Sequence, residues 1–268
     1  MNSMELPLVL FTVFSQIAVG LSIVTVFRQW QSNNNRQTAV TGEVWLVSAG
    51  LLLFAVIASL FHLGHPLGGP RAILNLGAAW LSREILFVLL FGAGIVATYL
   101  AFMKDAGVKK ILAVLTAIMG LLLLLSTGMV YTAPGFPALN NGIPVFYSLL
   151  TAAILGGAFS SFFTAEKHQS KIVALVWVSL LIGLVVNLII PSFWLSGSAA
   201  MQQTAAAYFS SPLYWLQIVG EFGVGLLVIG ITRSIPKWLP FLLLAGELIG
   251  RISMFYLTVH ASSNIGGL

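Results

Sequence analysis

Eight runs of predominantly apolar residues, each about 20 long and separated by short polar breaks, set the rhythm of this chain: 5–27, 43–63, 84–103, 111–131, 143–163, 172–195, 213–232 and 238–259. A hydrocarbon core about 30 Å thick is crossed by about 20 helical residues. Backbone groups in lipid must be bonded within the segment, so each run predicts a transmembrane helix. The expected fold is all-α, a bundle of eight transmembrane helices forming a single integral membrane domain over residues 1–268. The first run does not read as a cleaved signal peptide. It lacks a basic n-region and exceeds the roughly 7–15 apolar residues of an h-region. Trp30, Trp45, Trp80, Trp194, Trp215 and Trp238 fall at or near run ends, where an indole suits the headgroup layer.

Composition narrows the class further. Of 268 residues, 59% are hydrophobic and 7% charged, whereas a soluble domain carries about 25% charged residues. A soluble globule, a disordered polymer and a collagen-like repeat are thereby excluded. With no cysteine, the chain supplies no disulfide, thiolate-bound zinc or iron–sulfur cluster. The net charge of +5 does not point to nucleic acid, because the basic residues are scattered singly between apolar runs. They report topology instead. Arg28, Arg36, Lys104, Lys109, Lys110, Lys167, Lys171, Arg233 and Lys237 fall on one side, and only Arg71 and Arg83 on the other. Nine against two places the first set in the cytoplasm and both termini outside.

The outer connections are the elaborated ones. They comprise His62-Leu-Gly-His-Pro-Leu-Gly-Gly-Pro70, Ala133–Pro137 with Asn140-Asn-Gly142, and a Ser/Ala/Gln-rich loop from Ser196 to Pro212. Ionisable residues within the runs are functional candidates, since a charge at mid-membrane costs roughly 2.5–3.5 kcal/mol on insertion scales. Glu84 opens the third run on the outer side, either as a proton-handling group or as a carboxylate favoured by the helix dipole. Glu221 lies in the seventh run, and Glu247 and Arg251 stand four apart on one face of the eighth. The simplest reading of the last two is a structural ion pair, with Gly246 and Gly250 permitting a close helix contact and Glu221 as a second partner. Asn187 precedes Pro191, which predicts a kink in the sixth run. Of the four histidines, His62, His65 and His260 lie outside and His168 inside. Only His62 and His260 could face each other, so no haem is expected. His62 suits either a proton acceptor at the outer interface or a plain helix-end cap.

Three stretches carry a resemblance: Glu5-Leu-Pro-Leu-Val-Leu-Phe-Thr-Val-Phe-Ser-Gln16, His62-Leu-Gly-His-Pro66 followed by Leu81-Ser-Arg-Glu-Ile85, and Leu244-Ala-Gly-Glu-Leu-Ile-Gly-Arg251. Together, in this order, they resemble the membrane-anchor subunit of bacterial anaerobic dimethyl sulfoxide reductases. The resemblance implies a three-subunit complex of anaerobic respiration. In it, this chain binds and oxidises menaquinol drawn from the quinone pool of the bilayer. Electrons pass to an iron–sulfur subunit and on to a molybdopterin catalytic subunit. The anchor itself carries neither haem nor cluster, and no nucleic acid is involved. His62 matches the family's quinol-associated histidine, and Glu84 the carboxylate of the following Ser-x-Glu stretch. His65 departs from the pattern, standing where a small polar residue is usual, and could share the proton. Glu221, Glu247, Arg251 and Asn187 receive no role beyond a structural one or a proton path. Three rivals remain: an anchor for tetrathionate, selenate or another oxidant, a secondary transporter using Glu221, Glu247 and Arg251, and a purely structural anchor with a silent quinol site.

Overall fold

The computed structural model describes residues 5–31, 38–61, 75–164 and 169–264. Its helices are α1 (Glu5–Gln31), α2 (Thr38–Leu60), α3 (Trp80–Met103), α4 (Lys109–Val130), α5 (Ile143–Ser160), α6 (Ser170–Trp194), α7 (Ala199–Ser210), α8 (Pro212–Leu216), α9 (Val224–Thr232) and α10 (Leu239–Leu257). Between α8 and α9 the helix continues as a π-helical segment, Gln217–Gly223. Among the described residues, eight helical segments are long and apolar enough to cross a membrane: Leu6–Trp30, Gly42–Leu60, Trp80–Met103, Lys109–Val130, Ile143–Phe163, Ser170–Trp194, Pro212–Thr232 and Leu239–Leu257. They coincide with the eight apolar runs. The protein is therefore a multi-pass membrane protein.

Two cores meet along α1 and α5, with α2 adding Val44 to one and Trp45 to the other. One packs α2, α3 and α4 around Val19, Trp45, Phe91, Ile95 and Leu123. The other packs α6 to α10 around Ile17, Leu21, Ile154, Leu155, Trp194 and Phe222. Residues of α1 and α5 occur in both, so these helices form the axis of the bundle. Their crossing is governed by Gly20 and Gly156. A Cβ on Gly20 would lie within 2.8 Å of the Gly156 Cα and collide with the Ala152 carbonyl. The two backbones thus touch without an intervening side chain, a contact small residues allow in lipid, where dispersion supplies much of the association energy.

The axial position of α1 explains its polar content. Thr12, Ser15, Gln16, Ser22 and Thr25 are all buried. Ser22 and Thr25 return their hydroxyl protons to the carbonyls of Ala18 (2.9 Å) and Leu21 (2.7 Å), four residues back. Thr12 and Ser15 bond backbone carbonyls of the same helix as well. Back-bonding of this kind satisfies the hydroxyl without a partner helix. Gln16 is the exception, because its side chain reaches α10.

The two ends of the bundle are tied separately. At one end, Arg28 of α1 donates to the Phe163 carbonyl just after α5 (2.9 Å), so two of the basic connections share that end. At the other, Ala261 N–H donates to the Gly135 carbonyl (2.8 Å) and Val259 N–H to Thr204 Oγ1 of α7 (3.0 Å). Phe136 and His260 pack edge to face there. The stretch expected as a loop between Ser196 and Pro212 contains a helix, α7. Its Ala, Gln and Met residues are good helix formers, and Ala200, Thr204, Ala205 and Tyr208 are buried on one face.

Pro191 lies inside α6, which continues to Trp194. Proline has no N–H to offer the carbonyl four residues earlier, here that of Asn187. The Tyr214 hydroxyl donates to this carbonyl instead, at 2.9 Å, while Asn187 Nδ2 donates to the Gly183 carbonyl (2.9 Å). Asn187 is thereby a joint between α6 and α8. Tyr214→Phe removes the substitute for the missing bond. It is expected to lower stability by about 1 kcal/mol, which thermal unfolding in detergent would register; an unchanged midpoint would mean the carbonyl is satisfied another way.

Candidate functional site

Two sites of unequal kind emerge from the buried polar residues. The first is at the end of the bundle where α3 begins. Glu84 stands four residues into α3, about 6 Å along its axis at 1.5 Å per residue, rather than at the first position. It is 5% exposed, and Ser82 is buried with it. Arg83, its neighbour in sequence, turns the other way: its guanidinium sits 4.2 Å over the Trp80 ring and donates to the Leu76 and Gly77 carbonyls. The Glu84 carboxylate faces Thr127 of α4. Its Oε1 and the Thr127 Oγ1 are both buried with no hydrogen-bond partner. Tyr131 follows α4 at the same end and packs edge to face on Phe255 of α10, with ring centroids 5.2 Å apart. Burial pushes its phenol well above the usual tyrosine range; the negative charge of Glu84 adds to the effect and Arg251 opposes it. Tyr131 thus lies near enough to both Glu84 and Arg251 to feel their charges. His62 and His65 lie outside the described residues, in the stretch that joins α2 to α3.

The second site is in the middle of the bundle, where α1, α5, α6, α10 and the π-helical segment meet. Glu221, Glu247 and Arg251 are 1%, 7% and 5% exposed. The expected direct ion pair between Glu247 and Arg251 does not form. Among the described residues, the ion pair within contact distance is Lys109–Asp105, in the turn between α3 and α4. Thr151 of α5 intervenes: its hydroxyl is 2.8 Å from Glu247 Oε2, and Arg251 Nη2 donates to it at 3.2 Å. The same Nη2 donates to Gln16 Oε1 of α1 at 2.9 Å. Glu221 lies beside Glu247 and accepts from Gln217 Nε2 at 2.9 Å. Gly246 and Gly250 do not bring two backbones together, as their spacing suggested. They make room for side chains of the π-helical segment: a Cβ on Gly246 would come within 2.8 Å of Glu221 Oε2, and one on Gly250 within 2.6 Å of Gln217 Oε1. A polar cavity of about 30 Å³ adjoins the cluster, lined by Tyr147, Asn187, Tyr208, Gln217 and Arg251 among others. Among the described residues, no three His, Asp or Glu side chains converge as metal ligands would.

A model of the DMSO reductase anchor subunit family (DmsC) matches residues 1–257. The protein belongs to this family. Among similar proteins, the C subunit of the anaerobic dimethyl sulfoxide reductase of Haemophilus influenzae is 31% identical over 59% of this sequence, a match spanning 57% of that relative. The anaerobic dimethyl sulfoxide reductase subunit YnfH of Escherichia coli is 27% identical over 98% of both sequences, and the C subunit of the same organism 24% over 94%. Membership of an anchor-subunit family implies a complex with catalytic and electron-transfer subunits as partners.

Within the anchor subunit, the sequence-level candidates divide cleanly. Glu221, Glu247 and Arg251 are brought together, and Asn187 lines the cavity beside them. Glu84 stands apart from them, beside Thr127. Gln16, Thr127, Tyr131, Tyr147, Thr151, Tyr208 and Gln217 complete the two sites and were not singled out from the sequence. All are uncharged; for all but Tyr208, which lies in the connection before the seventh run, the one advance signal is that a polar side chain in an apolar run turns away from lipid.

Proposed function

We propose that this protein anchors an anaerobic respiratory reductase in the bacterial inner membrane and oxidises menaquinol at the end of the bundle where Glu84 stands. The observation that carries the reading is a buried carboxylate whose Oε1 makes no hydrogen bond of good geometry and has the Thr127 hydroxyl facing it. An unpaired buried acceptor costs about 1–3 kcal/mol, a cost a quinol hydroxyl would relieve by donating to it. Oxidation of one quinol yields one quinone, two protons and two electrons. The protons leave through Glu84 and His62, with His65 close in sequence. The electrons pass singly to an iron–sulfur subunit, and from there to a molybdopterin subunit that reduces dimethyl sulfoxide or a similar S- or N-oxide.

The nine-to-two distribution of basic residues supports an orientation with both termini and the Glu84 end on the periplasmic side. The connection over 131–142, α7 and the segment after α10, knitted together at that end, would serve as the docking platform for the extrinsic subunits. The printed names of the relatives favour dimethyl sulfoxide over tetrathionate or selenate as oxidant. Family membership likewise favours the anchor over the transporter.

Glu84→Gln keeps the size of the side chain and removes the proton acceptor. Quinol-dependent reduction of the partner's clusters, followed by electron paramagnetic resonance in membranes, is expected to slow about 10²-fold, a typical contribution of a general base, with assembly intact. Cluster reduction at the native rate in that variant would remove Glu84 from the reaction. A His62→Ala variant tests the histidine by the same signal.

A further inference from the structure

The Glu221–Glu247 pair raises a question of proton count that the Glu84 site does not. Thr151 Oγ1 lies 2.9 Å from the Tyr147 carbonyl and 2.8 Å from Glu247 Oε2, and also accepts from Arg251. A hydroxyl has one proton and two lone pairs. The hydroxyl can give that proton to Glu247 or to the Tyr147 carbonyl, and only in the second case does the contact with Glu247 need a proton from the carboxyl. The proton count therefore rests on charge. Two carboxylates face one guanidinium, and burying an uncompensated charge is costly. The other titratable groups bearing on the cluster are phenols: Tyr131 beyond α4, Tyr147 of α5, Tyr208 of α7 and Tyr214 of α8. None adds a positive charge, so neutrality requires one carboxyl proton. Two further atoms are buried and unpartnered here, Glu221 Oε1 and Gln16 Nε2. The adjoining cavity of about 30 Å³ exceeds the roughly 10–15 Å³ that one water needs. The Glu221 side chain itself is held on a π-helical turn, a geometry common at functional sites.

We propose that Glu221 and Glu247 form a proton-binding site, separate from the Glu84 site, in which the two carboxyls share one proton opposite Arg251 and exchange it with solvent through water in the polar cavity. The ligand is a single proton: binding makes one carboxyl O–H bond, and release returns that proton to a water molecule, leaving both carboxylates ionised. The proposal does not depend on quinol oxidation, and it survives if Glu84 proves inert.

Infrared difference spectroscopy tests it on the full-length protein purified with its co-purifying subunits. The comparison is between the native protein and the Glu221→Gln and Glu247→Gln variants, in H₂O and D₂O at neutral pH. One protonated-carboxyl band that shifts in D₂O and is lost in both variants is the expected result. The loss follows because the remaining carboxyl in each variant then balances Arg251 in its ionised form. Gln217→Met removes the hydrogen bond to Glu221 without altering a carboxyl, and is expected to move the same band. It also decides the matter where a glutamine variant fails to accumulate. A Glu84→Gln control leaves the band in place. A native spectrum whose protonated-carboxyl region is unchanged in the glutamine variants, or unmoved by Gln217→Met, would overturn the proposal. So would a band that does not shift in D₂O, since the site would then be closed to exchange.

Discussion

Arg251→Met is expected to destabilise the anchor subunit by about 3–5 kcal/mol, the cost of removing one partner from a buried charged network. Methionine preserves much of the volume beside Met254, so packing contributes little. Hydrogen bonds alone would give a smaller effect: Arg251 makes two across helices, to Gln16 and Thr151, besides a long one to the Met254 sulfur of its own helix, and an interhelical bond in lipid is worth about 0.6 kcal/mol on average. The difference between about 1 and about 3–5 kcal/mol therefore separates a charge effect from a loss of bonds. Unfolding in detergent measures it. Glu247→Gln introduced on top of Arg251→Met takes away one of the two carboxyls left without a counter-charge. The pair is expected to be less damaging than the sum of the singles, by about 0.5–3 kcal/mol of coupling. Strict additivity would show that the three charged residues do not act as a unit.

Gly20→Ala attacks the other critical contact. The added Cβ meets the Ala152 carbonyl and the Gly156 Cα, and neither can rotate away. The helices themselves must separate, and because α1 and α5 belong to both cores, the loosening spreads to each. The expected loss is about 3 kcal/mol, the upper end for overpacking, seen as a lowered unfolding midpoint and reduced accumulation in membranes. Gly156→Ala strikes the same crossing from the opposite side. Once either methyl has parted the helices, the second has less to displace, so the double variant is expected to cost less than the two singles combined. A midpoint unaffected by Gly20→Ala would mean that the crossing has slack.

The sequence made the spans legible because a run of about 20 apolar residues has few alternatives, and their observed ends lie within a few residues of the expected ones. It did not reveal which helix is central. Hydropathy ranks α1 with the others, whereas its Thr12, Ser15, Gln16, Ser22 and Thr25 mark it as the one surrounded by protein. Helix α7 was missed because small polar residues dominate both loops and short amphipathic helices, and only burial against the bundle separates them. At the sites, charge was visible and its pairing was not. A four-residue spacing put Glu247 and Arg251 on one face correctly, yet a threonine from α5, 96 residues earlier than Glu247, decides how they connect. Nothing local in the sequence of α5 announces that. The glycines at 246 and 250 were likewise recognisable as a request for space, but not as space for Glu221 and Gln217.

The bond between Gln16 and Arg251 joins residues 235 positions apart, and this bears on how the protein is made. Helix α1 leaves the ribosome long before α10. Its back-bonded hydroxyls let it enter the bilayer without waiting for partners, but the Gln16 amide has no such internal outlet. Thr151 and Glu221 find partners four residues back, in the Tyr147 carbonyl and the Gln217 amide, and the arrival of Arg251 provides the guanidinium that ties Gln16 and Thr151 together. The guanidinium of the interior therefore arrives only with α10, and a nascent polypeptide without that helix is marked, by the unmet Gln16 amide, as unfinished.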